Sequence, residues 1–244
     1  MNRQAVNPYL PSWEYIPDGE PHVFNGRVYV YGSHDRFNAP IFCVNDYVCW
    51  SAPVEDLSEW RYEGVIYRKK QDPKNPLGYH LLFAPDVCQG PDGRYYLYYA
   101  FDFLGIMSVA VCDTPAGEYK FLGHIHYADG TLWGRRRGDQ LPFDPGVLAD
   151  DDGRVWLYSG FYNAVPAILT GGHKLRCDGG TVLELEKDMV TIKTEPRVIF
   201  PKKGPGAFQG HEFFEASSIR KEGKTYIFVY SSRHNHELCY ATSQ

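Results

Sequence analysis

FDPGVLADDDGRVWLY, residues 143–158, places an acidic residue on a short apolar segment and a Gly-basic-aromatic segment just after it. The intervening Asp-Asp-Asp-Gly is typical of a hairpin turn, because Asp and Gly tolerate the backbone angles of tight turns. Calcium binding is the competing interpretation of this acidic run, but the further ligands of a calcium loop do not follow it. The stretch therefore predicts two antiparallel strands, with a carboxylate at the start of the first.

The same combination occurs four times along the chain. GEPHVF precedes GRVYVY, FAPDV precedes GRYYLYY, and FFEASSI precedes GKTYIFVY. The glycines that open the second segments, Gly26, Gly93, Gly153 and Gly223, are 67, 60 and 70 residues apart. Self-similarity on such a period is typical of an array of like structural units.

Each unit reads as a small antiparallel sheet. In GRVYVY, residues 26–31, the valines and tyrosines alternate, and this period of two places them on opposite faces of a strand. Further strand-like segments end at breakers such as Pro53 and Pro115. Four-stranded units repeated around an axis form a β-propeller. We therefore predict an all-β fold of the five-bladed type, as a single domain over residues 1–244, with three complete four-stranded blades and most of a fourth.

The fourth unit ends before its outer strand, because the chain stops at Gln244. An open blade edge leaves backbone N–H and C=O groups unpaired. We therefore expect either that the chain is a C-terminally incomplete part of a longer protein or that a homodimer covers the edge.

Composition excludes several classes of function. The formal net charge is −5, and the basic residues are scattered apart from Arg135, Arg136 and Arg137, so no nucleic-acid partner is expected. Neither a signal peptide nor an apolar run long enough to cross a bilayer is present, which predicts a cytoplasmic protein without a membrane partner. The six cysteines lack metal-binding spacing and favour reduced, buried thiols.

Acidic residues recur at the start of the four units: Glu20, Asp86, Asp144 and Glu215. The first strand of each propeller blade lines the central axis, so we expect these carboxylates to converge, which would perturb their pKa values and mark a functional site. Motifs of serine hydrolases, P-loop proteins and zinc proteases do not occur in the sequence. Paired carboxyl groups without such motifs favour glycoside hydrolysis, in which one activates water and another protonates the leaving oxygen.

NPYLP, EPHVFNGRVYVYGSHD, FAPDV, FDPGVLADDDGRVWLY and FFEASSIRKEGKTYIFVYSS together resemble glycoside hydrolase family 43, the five-bladed propeller arabinofuranosidases and xylosidases. The resemblance extends over residues 7–243. It implies an inverting mechanism with three acids: a general base in the first blade, a carboxylate in the second blade that orients groups and tunes pKa values, and a general acid in the fourth.

The resemblance assigns roles to individual residues. Asp86 in A-P-D matches the pKa-tuning carboxylate, and Glu215 in FFEASS matches the general acid. Two residues compete for the base, because Glu20 holds the matching position whereas Asp18 has the matching side chain. Residues at i and i+2 share a strand face, so both remain candidates. Asp144 resembles a pocket residue that bonds sugar hydroxyls.

The resemblance also implies which residues and which ion surround the site. Phe83 and Phe214 are expected to wall the sugar site, with core packing as the alternative for each. His236 matches a histidine near a central calcium or water cluster, so a structural Ca²⁺ on the axis is implied, while the chemistry requires no cofactor. The implied activity is exo-acting hydrolysis of terminal pentosides in arabinan- or arabinoxylan-type oligosaccharides. The alternative is a propeller that binds carbohydrate without cleaving it, or an inactive truncated fragment.

Overall fold

The computed structural model describes residues 7–234 and 236–244, which form four antiparallel sheets. The first two sheets comprise the strands β1 Glu20–Phe24, β2 Arg27–Tyr31, β3 Tyr47–Pro53 and β4 Arg61–Tyr67, and β5 Asp86–Gln89, β6 Tyr95–Ala100, β7 Met107–Cys112 and β8 Lys120–His124. The last two comprise β9 Gly146–Ala149, β10 Val155–Phe161, β11 Gly179–Leu185 and β12 Arg197–Pro201, and β13 Phe213–Glu222, β14 Thr225–Ser232 and β15 Leu238–Ser243. A single turn of 3₁₀-helix, Lys69–Gln71, is the only helix in the described part of the chain.

The four sheets are the blades of a β-propeller. Within each blade, strands adjacent in sequence pair with each other, as in the order β1-β2-β3-β4. Three blades have four strands and the last has three, β13-β14-β15. The predicted all-β propeller, with three complete blades and most of a fourth, is confirmed.

The first strands of the blades contact one another around the axis. His22 of β1 approaches Asp86 of β5, with 2.6 Å between Nε2 and Oδ1. Asp86 also accepts a hydrogen bond of 2.6 Å from the backbone N–H of Val147 in β9. Ser218 of β13 donates to Glu20 of β1 at 2.7 Å. The side chains of the axis therefore connect the first blade to both the second and the fourth.

The third and fourth blades pack closely at Gly146, the first residue of β9. A Cβ atom at this position would lie 2.7 Å from the carbonyl oxygen of Ser217 in β13. Any side chain there would push the two blades apart. Because Asp144 precedes this contact by two residues, the glycine also fixes where that carboxyl group lies.

Aromatic side chains fill the spaces between blades. Between the first two blades, the hydroxyl groups of Tyr67 and Tyr99 lie 2.6 Å apart, and Tyr99 donates to buried Asp72 at 2.7 Å. These bonds satisfy polar groups that would otherwise be costly to bury. Between the last two blades, Phe200 stacks on Phe228 with ring centroids 4.5 Å apart. The high aromatic content is therefore largely used for packing between sheets.

Two further features bear on the sequence predictions. All six cysteines are free, and four of them are buried whereas Cys112 and Cys239 are partly exposed, so the prediction of buried thiols holds for four of the six. Among the described residues, no helix has the length and apolar character needed to cross a membrane. At the outer edge of β15, Leu238 and Tyr240 are 82% and 74% exposed, and the homodimer over this edge stays a prediction.

Candidate active site

A cavity of about 270 Å³ lies where the chain enters the first strands of the blades. Carboxyl groups and aromatic rings dominate its lining. The acidic residues are Asp18, Asp35, Asp144 and Glu215, and the phenylalanines are Phe42, Phe83, Phe103, Phe143 and Phe161. We call Asp18, Asp144 and Glu215 the cavity layer. Among the described residues that line the cavity, none is Lys, Arg or His.

The positions of the cavity residues follow from the chain path. Asp18 and Asp144 each lie two residues before the first strand of their blade, and Ala84 holds this position in the second blade. In the fourth blade, β13 is irregular, with register shifts on both sides of Glu215. Such bulges redirect a side chain relative to the regular alternation of a strand. Turns and bulges, rather than regular strand positions, therefore present these groups to the cavity.

Asp18 lies at the solvent-facing mouth of the cavity, in the turn before β1. Its Oδ2 accepts a short hydrogen bond from the hydroxyl of Ser33, a fully buried residue. Partial desolvation raises the pKa of Asp18, the Ser33 hydrogen bond opposes this, and the neighbouring Asp35 adds to it. Asp18 is thus a carboxyl group with one fixed oxygen and another free to face the cavity.

Asp144 is buried and its backbone is in the left-handed region, with φ of +43°. Its Oδ2 accepts a hydrogen bond of 3.1 Å from the N–H of Ala216, which is itself left-handed with φ of +61°. Burial, followed by repulsion from Glu215 and Asp18, raises the pKa of Asp144 well above its usual value. Unusual backbone conformations of this kind cluster at functional sites, where the surrounding fold must hold them in place.

Glu215 has the properties of a carboxylic acid that stays protonated near neutral pH. Burial, with a smaller contribution from Asp18, raises its pKa from 4.5 to about 7. The basic group beside it is His236, whose Nδ1 is 3.8 Å from Oε1 of Glu215. The cavity layer thus contains a proton donor, Glu215, and a second carboxyl group, Asp18, which accepts a hydrogen bond from Ser33.

The model of one family, described as glycosyl hydrolases family 43, matches residues 17–244. The chain belongs to glycosyl hydrolase family 43. The resemblance inferred from the sequence motifs is therefore confirmed.

Relatives within family 43 share much of this chain. A xylosidase/arabinosidase of Thermoclostridium stercorarium is 61% identical over all of this chain, which spans 50% of that relative. A xylosidase/arabinosidase of Bacteroides ovatus is 31% identical over 96% of this chain and 75% of its own length. The solved structure of a β-xylosidase/α-arabinofuranosidase from a compost metagenome has a TM-score of 0.70, with 26% identity, over 100% of this chain and 77% of its own.

Glu20 and Asp86, two predicted catalytic residues of this family-43 chain, do not line the cavity. We call the group that they form with His22 and Arg220 the axial layer. Glu20 forms an ion pair with Arg220. Asp86 is fully buried and accepts hydrogen bonds from the N–H groups of Val87 and Val147, at 2.7 and 2.6 Å. The expectation that the acids of all four blades share one hollow is thus corrected. Glu20 and Asp86 lie two residues further along their blades than the cavity positions.

The remaining predicted residues divide between the cavity and its surroundings. Phe83 lines the cavity. Phe214 lies behind the wall, with its ring centroid 5.4 Å from Phe161 and 4.8 Å from His236. His236 is 64% exposed and contacts Glu215, so the structure does not bring it to the axial layer.

Several cavity residues were not predicted from the sequence. Phe143 and Asp35 could have been predicted, because Phe143 precedes Asp144 in the recurring motif and Asp35 is the last residue of the GSHD segment in the first unit. Phe42 and Phe103 lie in loops and Phe161 ends β10, so none of the three belongs to the first strand of a blade. Only the folded chain shows that these rings meet.

Proposed function

We propose that the cavity layer hydrolyses terminal pentosides with inversion, as an α-L-arabinofuranosidase or β-xylosidase acting on arabinan- or arabinoxylan-type oligosaccharides. The observation that carries the proposal is the grouping of Asp18, Asp144 and Glu215 in one small aromatic cavity without a basic lining residue in the described chain. The names of the relatives, xylosidase/arabinosidase, support the choice of pentosides.

Glu215 serves as the general acid in this proposal. With a pKa of about 7, it keeps its proton below neutral pH and can transfer it to the oxygen of the departing group. The bond between that oxygen and the anomeric carbon breaks as the proton arrives. The same environment that raises the pKa of Glu215 therefore provides the acid that glycoside hydrolysis needs.

Asp18 serves as the general base. Its hydrogen bond from Ser33 stabilises the charged form, although burial and Asp35 act in the opposite direction. Asp18 takes a proton from a water molecule whose oxygen bonds to the anomeric carbon on the face opposite the leaving group, which inverts the configuration. Exchange with solvent afterwards returns a proton to Glu215 and removes one from Asp18.

Asp144 takes the orienting and pKa-tuning role in place of Asp86. It is buried beside the other two groups, and both of them raise its pKa. Neighbouring carboxyl groups cannot all ionise at low cost, so a proton is retained within the group. A carboxyl group held by the Ala216 N–H can also bond a sugar hydroxyl.

The size and lining of the cavity support exo-action. A volume of about 270 Å³ is smaller than the usual range for drug-sized ligands, which favours one sugar ring over a chain of several. Phenylalanine rings such as Phe83 and Phe143 offer apolar faces to the C–H groups of the ring.

The proposed chemistry uses carboxyl groups and water, and no step passes through a cofactor. The implied axial Ca²⁺ does not fit the residues of the axial layer. Ligand atoms of Glu20, His22 and Asp86 lie within 4.8 Å of one another. However, Arg220 already pairs with Glu20 and lies 3.5 Å from His22 Nε2, and Ca²⁺ prefers six to eight oxygen ligands.

Release of p-nitrophenol from aryl β-xylosides and α-L-arabinofuranosides tests the proposal. We expect Asp18→Asn to lower kcat by about 10²–10⁴, the usual contribution of a general base, while Glu20→Gln retains activity per folded molecule. Loss with Glu20→Gln but not with Asp18→Asn would return the role of base to Glu20. Calorimetric binding of xylo-oligosaccharides without any hydrolysis by the wild-type chain would instead favour the carbohydrate-binding alternative.

A further inference from the structure

The last blade carries three side chains of the types that bind transition metals: His211, Glu237 and Cys239. One ligand atom from each, namely a ring nitrogen, a carboxylate oxygen and the sulfur, all lie within 4.8 Å of one another. His211 and Glu237 are exposed, and Cys239 is partly exposed. None of the three lines the cavity. The group is therefore separate from the carboxyl groups that the proposed hydrolysis uses.

The fold brings these residues together from two segments. His211 lies just before β13, whereas Glu237 and Cys239 lie at the start of β15. His211 and Glu237 are 237 − 211 = 26 residues apart, so no short motif in the sequence indicates the group. The antiparallel pairing of β13 with β14 and of β14 with β15 makes them neighbours.

Backbone contacts fix where the histidine lies. The N–H of His211 donates to the carbonyl of Phe208 at 2.7 Å, and its own carbonyl accepts from the hydroxyl of Tyr230 at 2.7 Å. Tyr230 is 2% exposed and lies opposite Cys239 in the pairing of β14 with β15. One buried tyrosine thus connects the backbone of the histidine to the strand position beside the cysteine.

The glutamate is held by the turn between β14 and β15. Its carbonyl accepts from the N–H of Ser232 at 2.9 Å, and its N–H donates to the carbonyl of His234 at 3.2 Å. The hydroxyl of Ser232 donates to Oε2 of Glu237 at 3.1 Å, and Nδ1 of His211 lies 2.9 Å from the same oxygen. Hydrogen bonds to a ligating carboxylate fix its orientation, and Ser232 supplies one here.

The three ligand types together suit Zn²⁺. Thiolate, imidazole and carboxylate are its usual ligands in proteins, and three protein ligands with a fourth position for water form a common tetrahedral arrangement. Ca²⁺ and Mg²⁺ bind oxygen ligands, of which this group supplies one carboxylate. Ligand atoms around tetrahedral Zn²⁺ lie about 3.3–3.8 Å apart, so these side chains need to move by only about 1 Å.

The charges around the group leave the carboxylate available to a cation. Among the described residues, Glu237 forms an ion pair with His211 and none with a lysine or an arginine. The basic groups of the neighbouring turn, Arg233 and His234, approach Glu212 instead, at 3.9 and 3.4 Å. A metal ion would therefore not have to displace a bound basic side chain other than its own histidine ligand.

We propose that His211, Glu237 and Cys239 bind a Zn²⁺ ion, with water as the fourth ligand, and that the ion fastens β15 to the segment before β13. On binding, the thiol of Cys239 releases its proton to solvent, and metal bonds replace the hydrogen bond between His211 and Glu237. β15 is the outermost strand of its sheet and pairs with β14. The ion gives this strand a second attachment to the blade.

The first test titrates the metal-free chain with Zn²⁺ in a calorimeter and with Co²⁺ in a spectrophotometer. Co²⁺ at the site should give a near-ultraviolet charge-transfer band from the thiolate, which added Zn²⁺ removes. Cys239→Ser should abolish the band and weaken Zn²⁺ binding at least about 100-fold, because a hydroxyl is a far poorer ligand than a thiolate. Ser232→Ala should weaken it about tenfold, the usual effect of losing a group that orients a ligand.

Matched variants distinguish this group from other thiols and acids. Cys112→Ser removes the other partly exposed cysteine, and Glu195→Gln changes a carboxylate that is 80% exposed. Both should bind the two metals as the wild type does. Equal Zn²⁺ affinity in Cys239→Ser and the wild type, or a wild-type Co²⁺ complex without the thiolate band, would overturn the proposal.

The second test needs no variant. Iodoacetamide alkylates free thiolates, and peptide mass spectrometry follows Cys239 and Cys112 in the same sample. Zn²⁺ at ten times its dissociation constant leaves about a tenth of the chains without metal, so alkylation of Cys239 should slow about tenfold while that of Cys112 stays unchanged. Unchanged alkylation of Cys239, or equal slowing of both thiols, would reject the site.

Hydrogen exchange tests the attachment of β15. In the wild type, Zn²⁺ should slow exchange of the β15 amides, whereas in Cys239→Ser it should have no effect. Metal binding without this protection would contradict the fastening of the strand. Because none of these measurements involves hydrolysis, their outcome is independent of whether the chain cleaves pentosides.

Discussion

The cavity layer and the axial layer both contain acids carried by the segments at the start of the blades, yet they differ in what surrounds each carboxyl group. In the axial layer, Glu20 pairs with Arg220, and Asp86 is met by His22 and by two backbone N–H groups. In the cavity layer, acids face other acids and aromatic rings. Burial raises the pKa of Glu20 as well, but Arg220 and His22 oppose the rise. In the cavity layer, no basic residue among the described lining residues opposes the raised pKa values of Asp18, Asp144 and Glu215, which suits proton transfer.

The largest effect is expected for Glu215→Gln, which removes the proton donor of the cavity layer. For xylobiose, whose leaving oxygen is a poor leaving group, kcat should fall by about 10³–10⁴. For 2,4-dinitrophenyl xyloside, which departs with little protonation, the loss should be at least tenfold smaller. Steady-state kinetics on the two substrates measure the difference. Equal losses would show that Glu215 does not act as the acid, and the contrast between the layers would lose its chemical meaning.

Asp86→Ala should break the axial layer. It leaves His22 and the N–H groups of Val87 and Val147 without their acceptor in a fully buried place. We expect a loss of about 3–5 kcal/mol in the free energy of unfolding, measured by urea titration, with hydrolytic activity per folded molecule within threefold of wild type. Glu195→Ala, at a side chain that is 80% exposed, provides the control and should change stability little. A stable but inactive Asp86→Ala protein would restore the catalytic assignment of Asp86.

The raised pKa of Glu215 also predicts a dependence of stability on pH. The folded protein holds the proton of Glu215 up to about pH 7, whereas the unfolded chain releases it near pH 4.5. Because the folded state binds more protons in this window, the contribution of Glu215 to stability falls as the pH rises from 4.5 to 7. Glu215→Gln should therefore raise the melting temperature relative to wild type more at pH 8 than at pH 4, by an amount on the order of a few degrees. A difference that is the same at both pH values would contradict the shifted pKa.

The smallest effect is expected from the aromatic wall. Phe83→Leu keeps an apolar side chain but removes a flat face from the cavity, so KM should rise roughly threefold to tenfold while kcat changes little. Phe200→Leu is the matched control, since Phe200 belongs to the packing between the third and fourth blades. An equal change of KM in both variants would indicate general loosening of the fold rather than loss of a sugar contact.

The sequence predicted the propeller because its signals are local and repeated. Turn glycines, alternating strands and breaker residues recur with each blade, and their count matches the observed sheets. The family motifs also contain or adjoin three acids that line the cavity. Asp18, Asp144 and Glu215 all lie within or beside the quoted stretches.

The sequence could not predict which acids belong to the cavity layer and which to the axial layer, because the two positions are only two residues apart along the chain. Alternation suggested that Asp18 and Glu20 share a face, but Asp18 lies in a turn before β1, where alternation does not hold. In the second blade the cavity position is Ala84, so the acid nearest in sequence, Asp86, belongs to the other layer. The partners that separate the layers, such as Arg220, are distant in sequence and become neighbours only in the folded chain.

The Glu20–Arg220 pair joins the first blade to the fourth, the same two blades that carry Asp18 and Glu215. This contact between the first and fourth blades therefore bears on the distance between Asp18 and Glu215, across which the proposed substrate must fit. Its arginine side chain is 34% exposed, so dissolved salt can weaken the attraction. Ionic strength would then act on the proposed turnover through the width of this contact between the blades.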